Sequence, residues 1–483
     1  RLLGCIKVNL FNAASQMKLL TLMRISCMSE RALSSMRIFN RAVSLALLSL
    51  LATASSAFAS QDVPLSFTFQ GSGYGHGVGM SQIGARGQAL AGDTATVIIQ
   101  YYYKDVTVEP VKDDQLLRVN IGHLLAEISL RTDTKLGELQ LFNGDIKESI
   151  DLVPQKNVPA KVSLNFTLLG NAIFPSATYA NGRVEALPSG KAWTIRWTGT
   201  RYMQGADAVV SVKKGGVTTK YRYGQIQVKL VKAALLGYRI EVTNTLRLHD
   251  EYLWGIGEMP SSWPLEAMRA QVIASRSFAL SKVGKTKSSC DCDIYSASQD
   301  QAFVGYSKEI ERGYGHLWKN AVISTFQDDS TGLAILYNST PIAAYFFSSS
   351  GGQTESAQDA WGSAVPYTAS VPDPWSTDPL LNARYLHWER PISQVLVASA
   401  FGLPDVVSMK ITNRHASGTV GTIVGRSSTG KKVRLMGETF RSRVKLPSAW
   451  FDLLGPQISN ATPTPTPTPT LTPRPTPTVI HRL

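Results

Sequence analysis

Tyr252-Leu-Trp-Gly-Ile-Gly-Glu258-Met-Pro-Ser-Ser-Trp-Pro-Leu-Glu266-Ala-Met-Arg-Ala-Gln271 joins a strand pattern to a helix pattern through a glycine-flexed turn. Beyond Pro264, Leu265, Met268, Val272 and Ser275–Phe278 recur at helical spacing. Pro264 suits a first helical turn, and Glu266 early in the helix complements its dipole. The turn carries one carboxylate, Glu258, between the apolar Trp254 and Met259. A carboxylate at a strand–helix junction can face a cleft, and partial desolvation raises its pKa toward that of a general acid. A capping or salt-bridging glutamate is the other reading of the same feature.

Upstream of this stretch the pattern has a period of two. Ile226, Val228 and Leu230, then Tyr238, Ile240 and Val242, alternate with polar neighbours. So do Val162–Leu168 and Trp193–Trp197, with Asn181-Gly182 and Ser189-Gly190 as turns. Downstream, a second helix is expected near Trp318–Thr325, then strands at Ala334–Tyr337 and Ile342–Phe347. A last strand-rich stretch is expected over Val407–Phe451. Near the start, Pro64–Phe69 reads as a strand and Ser81–Ala91 as a short helix. The fold class is therefore α+β, with a β-rich insertion and a disordered Thr-Pro tail. The expected segmentation is 1–59 upstream segment and signal peptide, 60–105 glycine-rich segment, 106–220 β-rich insertion, 221–455 catalytic domain and 456–483 tail.

Residues 1–35 show no clear hydrophobic period, and Met28 or Met36 is the expected start. After Met36, Arg37 and Arg41 precede an apolar run, Ala42–Ala52, and Ala57-Phe58-Ala59 offers a small-x-small site. This reads as a secretory signal peptide cleaved after Ala59, hence a secreted or wall-associated protein, with an uncleaved anchor as the other reading of the segment. Residues 1–59 carry seven Lys/Arg against Glu30 alone, so the formal +14 of the chain falls to +8 beyond them. That balance suits an anionic wall polymer, and no nucleic-acid motif is present. Pro463–Thr478 is nearly a Thr-Pro repeat, an extended polyproline-II spacer.

Three further stretches stand out. Gly73-Tyr-Gly-His76-Gly-Val-Gly-Met-Ser-Gln82-Ile-Gly-Ala-Arg86-Gly lacks the Lys-Ser/Thr of a phosphate-binding loop. Cys290–Tyr306 includes Gln301 and Gly305-Tyr306. Ala344-Tyr-Phe-Phe-Ser-Ser-Ser-Gly-Gly-Gln-Thr-Glu355 is followed by Trp361 and Asp373-Pro-Trp375. Ser348–Gly352 is small and polar, so its backbone N–H groups can approach a ligand closely. Trp254, Trp263, Trp361 and Trp375 offer stacking faces or core packing. His76 fits a cleft role or a satisfied structural role. Cys290 and Cys292 suit a disulfide or buried thiols more than a metal, because a structural zinc needs four ligands and only two are in view.

Together with the Glu258 segment, these motifs resemble the SpoIID/LytB domain family of sporulation stage II protein D and amidase enhancers, over residues 67–105 and 221–453. The resemblance implies a peptidoglycan lytic transglycosylase acting on peptide-stripped glycan strands between N-acetylmuramic acid and N-acetylglucosamine. It implies Glu258 as catalytic residue and Tyr345 as a cleft-lining aromatic. Ser348, Ser349, Gly351, His76, Gln82 and Trp263 join them as expected substrate-binding residues. Glu266 is the rival carboxylate, with Glu355 and Asp359 as candidate helpers. No cofactor is expected, although some members bind zinc with Cys and His, which bears on Cys290/Cys292. Peptidoglycan, anionic wall polymers and a peptidoglycan amidase are the expected partners. The chief alternative is a non-catalytic wall-binding module that enhances an N-acetylmuramoyl-L-alanine amidase. One departure is the position of the Gly-His-Gly motif. It lies near the C-terminal end in many relatives and precedes everything else here, a permutation the fold tolerates if the termini lie close together.

Overall fold

The computed structural model describes residues 63–147 and 152–457. The expected signal peptide and the Thr-Pro tail lie outside these residues. The described part mixes helix and strand in an α+β arrangement, and none of its helices is long and apolar enough to cross a membrane.

The period-two stretches form two antiparallel-rich sheets. One has seven strands in the order Ile294–Tyr295, Leu116–Leu125, Gly237–Arg247, Gln225–Ala233, Ala192–Trp197, Leu139–Asn143, Lys156–Val158. The other has six, in the order Val184–Ala186, Ala172–Thr178, Ser163–Leu169, Glu127–Thr132, Val210–Lys214, Val217–Tyr221. Their inward residues, among them Leu117, Leu130, Phe166, Trp193, Trp197 and Val228, share one apolar core. Strands from both sides of residue 220 therefore hydrogen-bond within one sheet.

The helix Leu265–Leu280 joins this core to the next. It is buried almost all round from Ala267 to Ala279, as a helix enclosed by protein must be. Met268, Val272 and Phe278 face the sheet core. Ala270, Ile273 and Ala274 face a second core built on Ile98, Ile99 and Tyr102 of the helix Ala95–Tyr102 and Ile335 of the strand Thr331–Tyr337. Beneath it lies a buried ion cluster. Asp113 accepts from Arg276 Nε at 2.6 Å and lies 2.6 Å from His249 Nδ1, and all three side chains are essentially solvent-free.

A third core gathers the two ends of the described chain. The strand Ser66–Gly71 lies between Trp388–Ser393 and Phe451–Gln457, antiparallel to both. Its Phe67 and Phe69 pack with Phe401, Phe440 and Phe451. The N-terminal strand is thus the middle of a sheet whose other members come from the C-terminal part. The stretch Val407–Phe451 is strand-rich as expected, holding the three-stranded sheet Ser408–Arg414, Val420–Arg426, Lys432–Met436, and adds the helix Gly437–Val444.

Candidate active site

Glu258 sits in the turn between the strand Gly237–Arg247 and the helix Leu265–Leu280. Two glycines let a neighbouring segment lie directly against this turn. A Cβ on Gly255 would come within 2.4 Å of the Phe303 ring, and one on Gly257 within 2.9 Å of Val304. Through these gaps Ile256 bridges Phe303, Gly257 N–H donates to Ala302 O at 2.8 Å, and Val304 N–H donates to Gly255 O at 2.8 Å. The half-buried Glu258 carboxylate accepts the Ala302 N–H. Burial pushes its pKa above the usual glutamate value, and the Ala302 hydrogen bond pulls it partly back. No other side chain figures in this balance. Next to it, Lys308 donates to Met259 O and pairs with Glu311 at 2.7 Å, while Ser261 Oγ donates to Glu311 at 2.6 Å. The turn is held on both flanks.

The glycine-rich N-terminal motif holds it from a third side. Gln82 opens the helix Gln82–Ala91, whose N-cap is Ser81. Its amide Nε2 donates to the Glu258 backbone carbonyl at 3.0 Å and to Gln271 Oε1 at 3.1 Å. Gln271 in turn donates to Ser275 Oγ at 3.1 Å. Sequence reasoning placed Gln82 among substrate contacts; the structure makes it a buried support for the backbone of Glu258.

His76 forms one wall of an aromatic group with Trp361, Phe347 and Tyr345, at ring separations of 5.3, 5.9 and 6.4 Å. Its Nδ1 accepts the Val78 N–H at 3.0 Å, and a hydrogen bond to the Phe346 backbone engages the ring as well. Burial, helped by the Arg441 charge, lowers its pKa to about 4, so the ring is neutral at physiological pH. Tyr345 is half-buried and stacks edge-on against Trp361 at 4.8 Å. Burial and the charge of Asp300 raise the pKa of its hydroxyl. Trp361 is 38% exposed, the most open of the four tryptophans singled out in the sequence. Trp263 is half-buried under Arg86, at 5.2 Å. Trp254 packs against Tyr223 and Lys319, and Trp375 covers Gly87 and Tyr101.

The Ser348–Gly352 run turns inward. Ser349 N–H donates to Tyr74 O at 3.2 Å, Ser350 N–H to Ser376 Oγ at 3.0 Å and Gly352 N–H to Ser350 Oγ at 3.1 Å. Ser348 O accepts the Ile83 N–H, and Gly351 lies under Trp450. Of the N–H groups expected to approach a ligand, that of Ser349 is engaged within the protein, as are those of Ser350 and Gly352, and the run's contacts hold the N-terminal motif in place.

Glu266 is likewise committed. Its carboxylate accepts the Ala95 N–H at 2.7 Å, at the start of the helix Ala95–Tyr102, and pairs with Arg269 at 2.8 Å. Glu355 and Asp359 gather around His415 instead. Cys290 and Cys292 are bonded to each other. Between them Asp291 takes a left-handed φ of 51° and pairs with Arg118 and Lys229. This loop leads into the Ile294–Tyr295 strand and on to Gln301 and Ala302. Ala302 carries no signal at the level of sequence, because its contribution is a backbone N–H. Tyr252 was legible only as part of the motif; its buried hydroxyl donates to Gln301 Oε1 at 2.6 Å.

Residues 237–328 match the family model described as Stage II sporulation protein, SpoIID, a span that contains Glu258, Gln271, the disulfide loop and Ala302. Over this segment the chain is similar to the SpoIID family. It is 31% identical over 211 residues to Stage II sporulation protein D of Bacillus subtilis (strain 168), covering 42% of this chain and 59% of that protein. With Stage II sporulation protein D of Bacillus amyloliquefaciens it shares 29% over 223 residues, again 42% and 59%. With the Amidase enhancer of Bacillus subtilis it shares 33% over 116 residues, 24% of this chain and 14% of that protein. The SpoIID match thus spans 59% of the length of the first two relatives. No solved structure matches the chain.

Proposed function

We propose that this protein is a secreted or wall-associated lytic transglycosylase. In this reading it cuts peptidoglycan glycan strands, stripped of peptides, between N-acetylmuramic acid and N-acetylglucosamine. The observation that carries it is Glu258: one carboxyl group on a turn braced from three sides, raised by burial and touched by a single backbone donor. A glutamate so poised holds its proton at higher pH than a solvated one, as a general acid must.

The chemistry needs one such group. Protonated Glu258 donates to the glycosidic oxygen as the bond to the muramic C1 breaks. The resulting carboxylate then takes the proton of the muramic C6 hydroxyl as that oxygen closes on C1. The product is a 1,6-anhydro ring, and Glu258 ends protonated as it began. A hydrolase would need a second carboxylate to direct water. The rivals named from the sequence, Glu266 and Asp359, are engaged elsewhere. Tyr345 and Trp361 are the aromatic faces offered to the sugar. Gln82 positions Glu258.

The similarity to a protein named Amidase enhancer supports a second reading, a module that binds the wall and stimulates an amidase without cutting glycan itself. Glu258→Gln separates the two, since it preserves shape and abolishes proton donation. On denuded glycan strands the wild type should release ends lighter by one water than hydrolysed ends, seen by mass spectrometry. The variant should lose about 10²–10⁴-fold in turnover while retaining glycan binding. Reducing ends would make the protein a hydrolase. Absence of cleavage by wild type, with wall binding intact, would favour the enhancer reading.

A further inference from the structure

Glu355, Asp359 and His415 form a cluster that the glycan-cleaving reading does not use. Their ligand atoms all lie within 4.8 Å of one another. Glu355 and Asp359 flank the start of the short helix Ala357–Trp361, and His415 lies in the turn between the strands Ser408–Arg414 and Val420–Arg426. The cluster thus spans two segments about sixty residues apart in sequence. It also backs the Gly-His-Gly motif, since Glu355 N–H donates to Gly77 O at 2.7 Å.

The Glu355 carboxylate is 3% exposed and has an unbalanced environment. Its Oε2 accepts the hydroxyls of Ser417, at 2.7 Å, and Thr419, and lies 3.6 Å from His415 Nδ1. Its Oε1 is buried and has no hydrogen-bond partner. Among the described residues no Lys or Arg pairs with it. A neighbouring carboxylate, Glu438, also has a buried oxygen without a partner. Its pKa is raised by burial and, against the pull of Arg441, by the charge of Glu355. Buried charge without a countercharge is costly, and an unpaired buried carboxylate oxygen doubly so.

We propose that Glu355, Asp359 and His415 bind a divalent transition-metal ion of the zinc type. One imidazole nitrogen and two carboxylate oxygens suit zinc, with solvent or a hydroxyl completing the shell. The imidazole disfavours calcium and magnesium, which prefer all-oxygen sites. Zinc ligands stand about 2.0–2.2 Å from the ion, so shifts of about 1 Å bring the three side chains to it. The hydroxyls of Ser417 and Thr419 orient the Glu355 carboxylate from outside, as partners of metal-ligating carboxylates do. The ion clamps the Glu355 segment to the Ser408–Arg426 hairpin behind His76. This site is separate from Cys290 and Cys292, and the inference does not rest on the glycan-cleaving reading.

The test uses the tag-free, air-oxidised full chain, stripped with chelator and titrated with Zn²⁺ alone by calorimetry and thermal melting. One equivalent should bind, and the melting temperature should rise. His415→Ala and Asp359→Asn should each weaken zinc at least tenfold while the metal-free protein melts as the stripped wild type does. These two variants keep the test open if Glu355→Gln does not fold. Cys290→Ser/Cys292→Ser should bind zinc as the wild type does. The site is refuted by no saturable uptake, by uptake unchanged in both His415→Ala and Asp359→Asn, or by uptake lost only in the cysteine variant. Tighter binding of Ca²⁺ than Zn²⁺ would overturn the assignment of the ion.

Discussion

Gln82→Ala isolates the part of the site that comes from the far end of the chain. The side chain is 8% exposed, and its amide serves two acceptors, the Glu258 carbonyl and Gln271 Oε1. Truncation leaves both without this donor. A buried polar group stripped of its partner costs about 1–3 kcal/mol. With two acceptors stripped, the Glu258 carbonyl and Gln271 Oε1, the loss should be about 2–6 kcal/mol of stability. The Glu258 turn would still be held by Ala302 and Lys308, so the chain should fold. The carboxylate would be held less firmly, and a misplacement of about 1 Å can cost on the order of 10²-fold in rate. We expect kcat on denuded glycan strands to fall about 10–10²-fold, with KM little changed because Gln82 itself is buried under the turn. The decisive assay is the double variant. If Gln82 works only through Glu258, Gln82→Ala/Glu258→Gln should be no slower than Glu258→Gln alone. Undiminished kcat in Gln82→Ala, or a further equal loss on top of Glu258→Gln, would refute a positioning role.

Other outcomes follow from the same geometry. Glu258 is raised in the folded state, so it favours folding less as pH rises from the ordinary glutamate range through its raised pKa. Glu258→Gln should therefore unfold at higher denaturant than wild type near neutral pH, with the gap closing in acid; a gap that widens in acid would contradict the raised pKa. Over the same range wild-type kcat should decline as pH rises, because the acid form is lost. Asp113→Ala strands the fully buried Arg276 and should cost about 3–5 kcal/mol in chemical denaturation. Gly79 has φ +80°, and a Cβ there would meet the Tyr345 carbonyl at 2.0 Å. Gly79→Ala should cost about 1–3 kcal/mol from overpacking alone and reduce glycan turnover by moving Tyr345.

What the sequence disclosed depended on how local each signal was. The helix from Leu265, the strands around Trp193 and Val228 and the Ser81-capped helix announce themselves by period and capping residue. Glu258 stood out because a carboxylate in an apolar, glycine-flanked turn is chemically conspicuous. The helix Ala95–Tyr102 is hidden in the sequence, because Val97, Ile98 and Ile99 are consecutive β-branched residues followed by aromatics, a run with no clear helical period. The helix Gly437–Val444 was absorbed into a strand-rich stretch, since the strands before it dominate the local pattern. The inward turn of Ser348–Gly352 was illegible because its partners, Tyr74 and Ser376, are fixed only by tertiary structure. The same holds for Ala302, whose contribution is a backbone group that any residue but proline supplies.

The displaced Gly-His-Gly motif was the feature most at odds with the family pattern, and the fold accounts for it. A segment that ordinarily follows the rest of a domain can precede it only if it reaches the same neighbours from its new position. Here Ser66–Gly71 enters as the middle strand between Trp388–Ser393 and Phe451–Gln457, so the start of the described chain lies beside its end. From that strand, four glycines with positive φ, Gly73, Gly75, Gly77 and Gly79, thread the chain past Ser349, Phe347, Glu355 and Tyr345. A Cβ on Gly75 would approach Phe347 to 2.7 Å, so the path is open only to residues without a side chain. It delivers Ser81 as a helix cap and Gln82 to the Glu258 carbonyl. The motif thus reaches the Glu258 turn from the start of the chain, and for that reason motif contact carries more weight than motif position in the role proposed for Glu258.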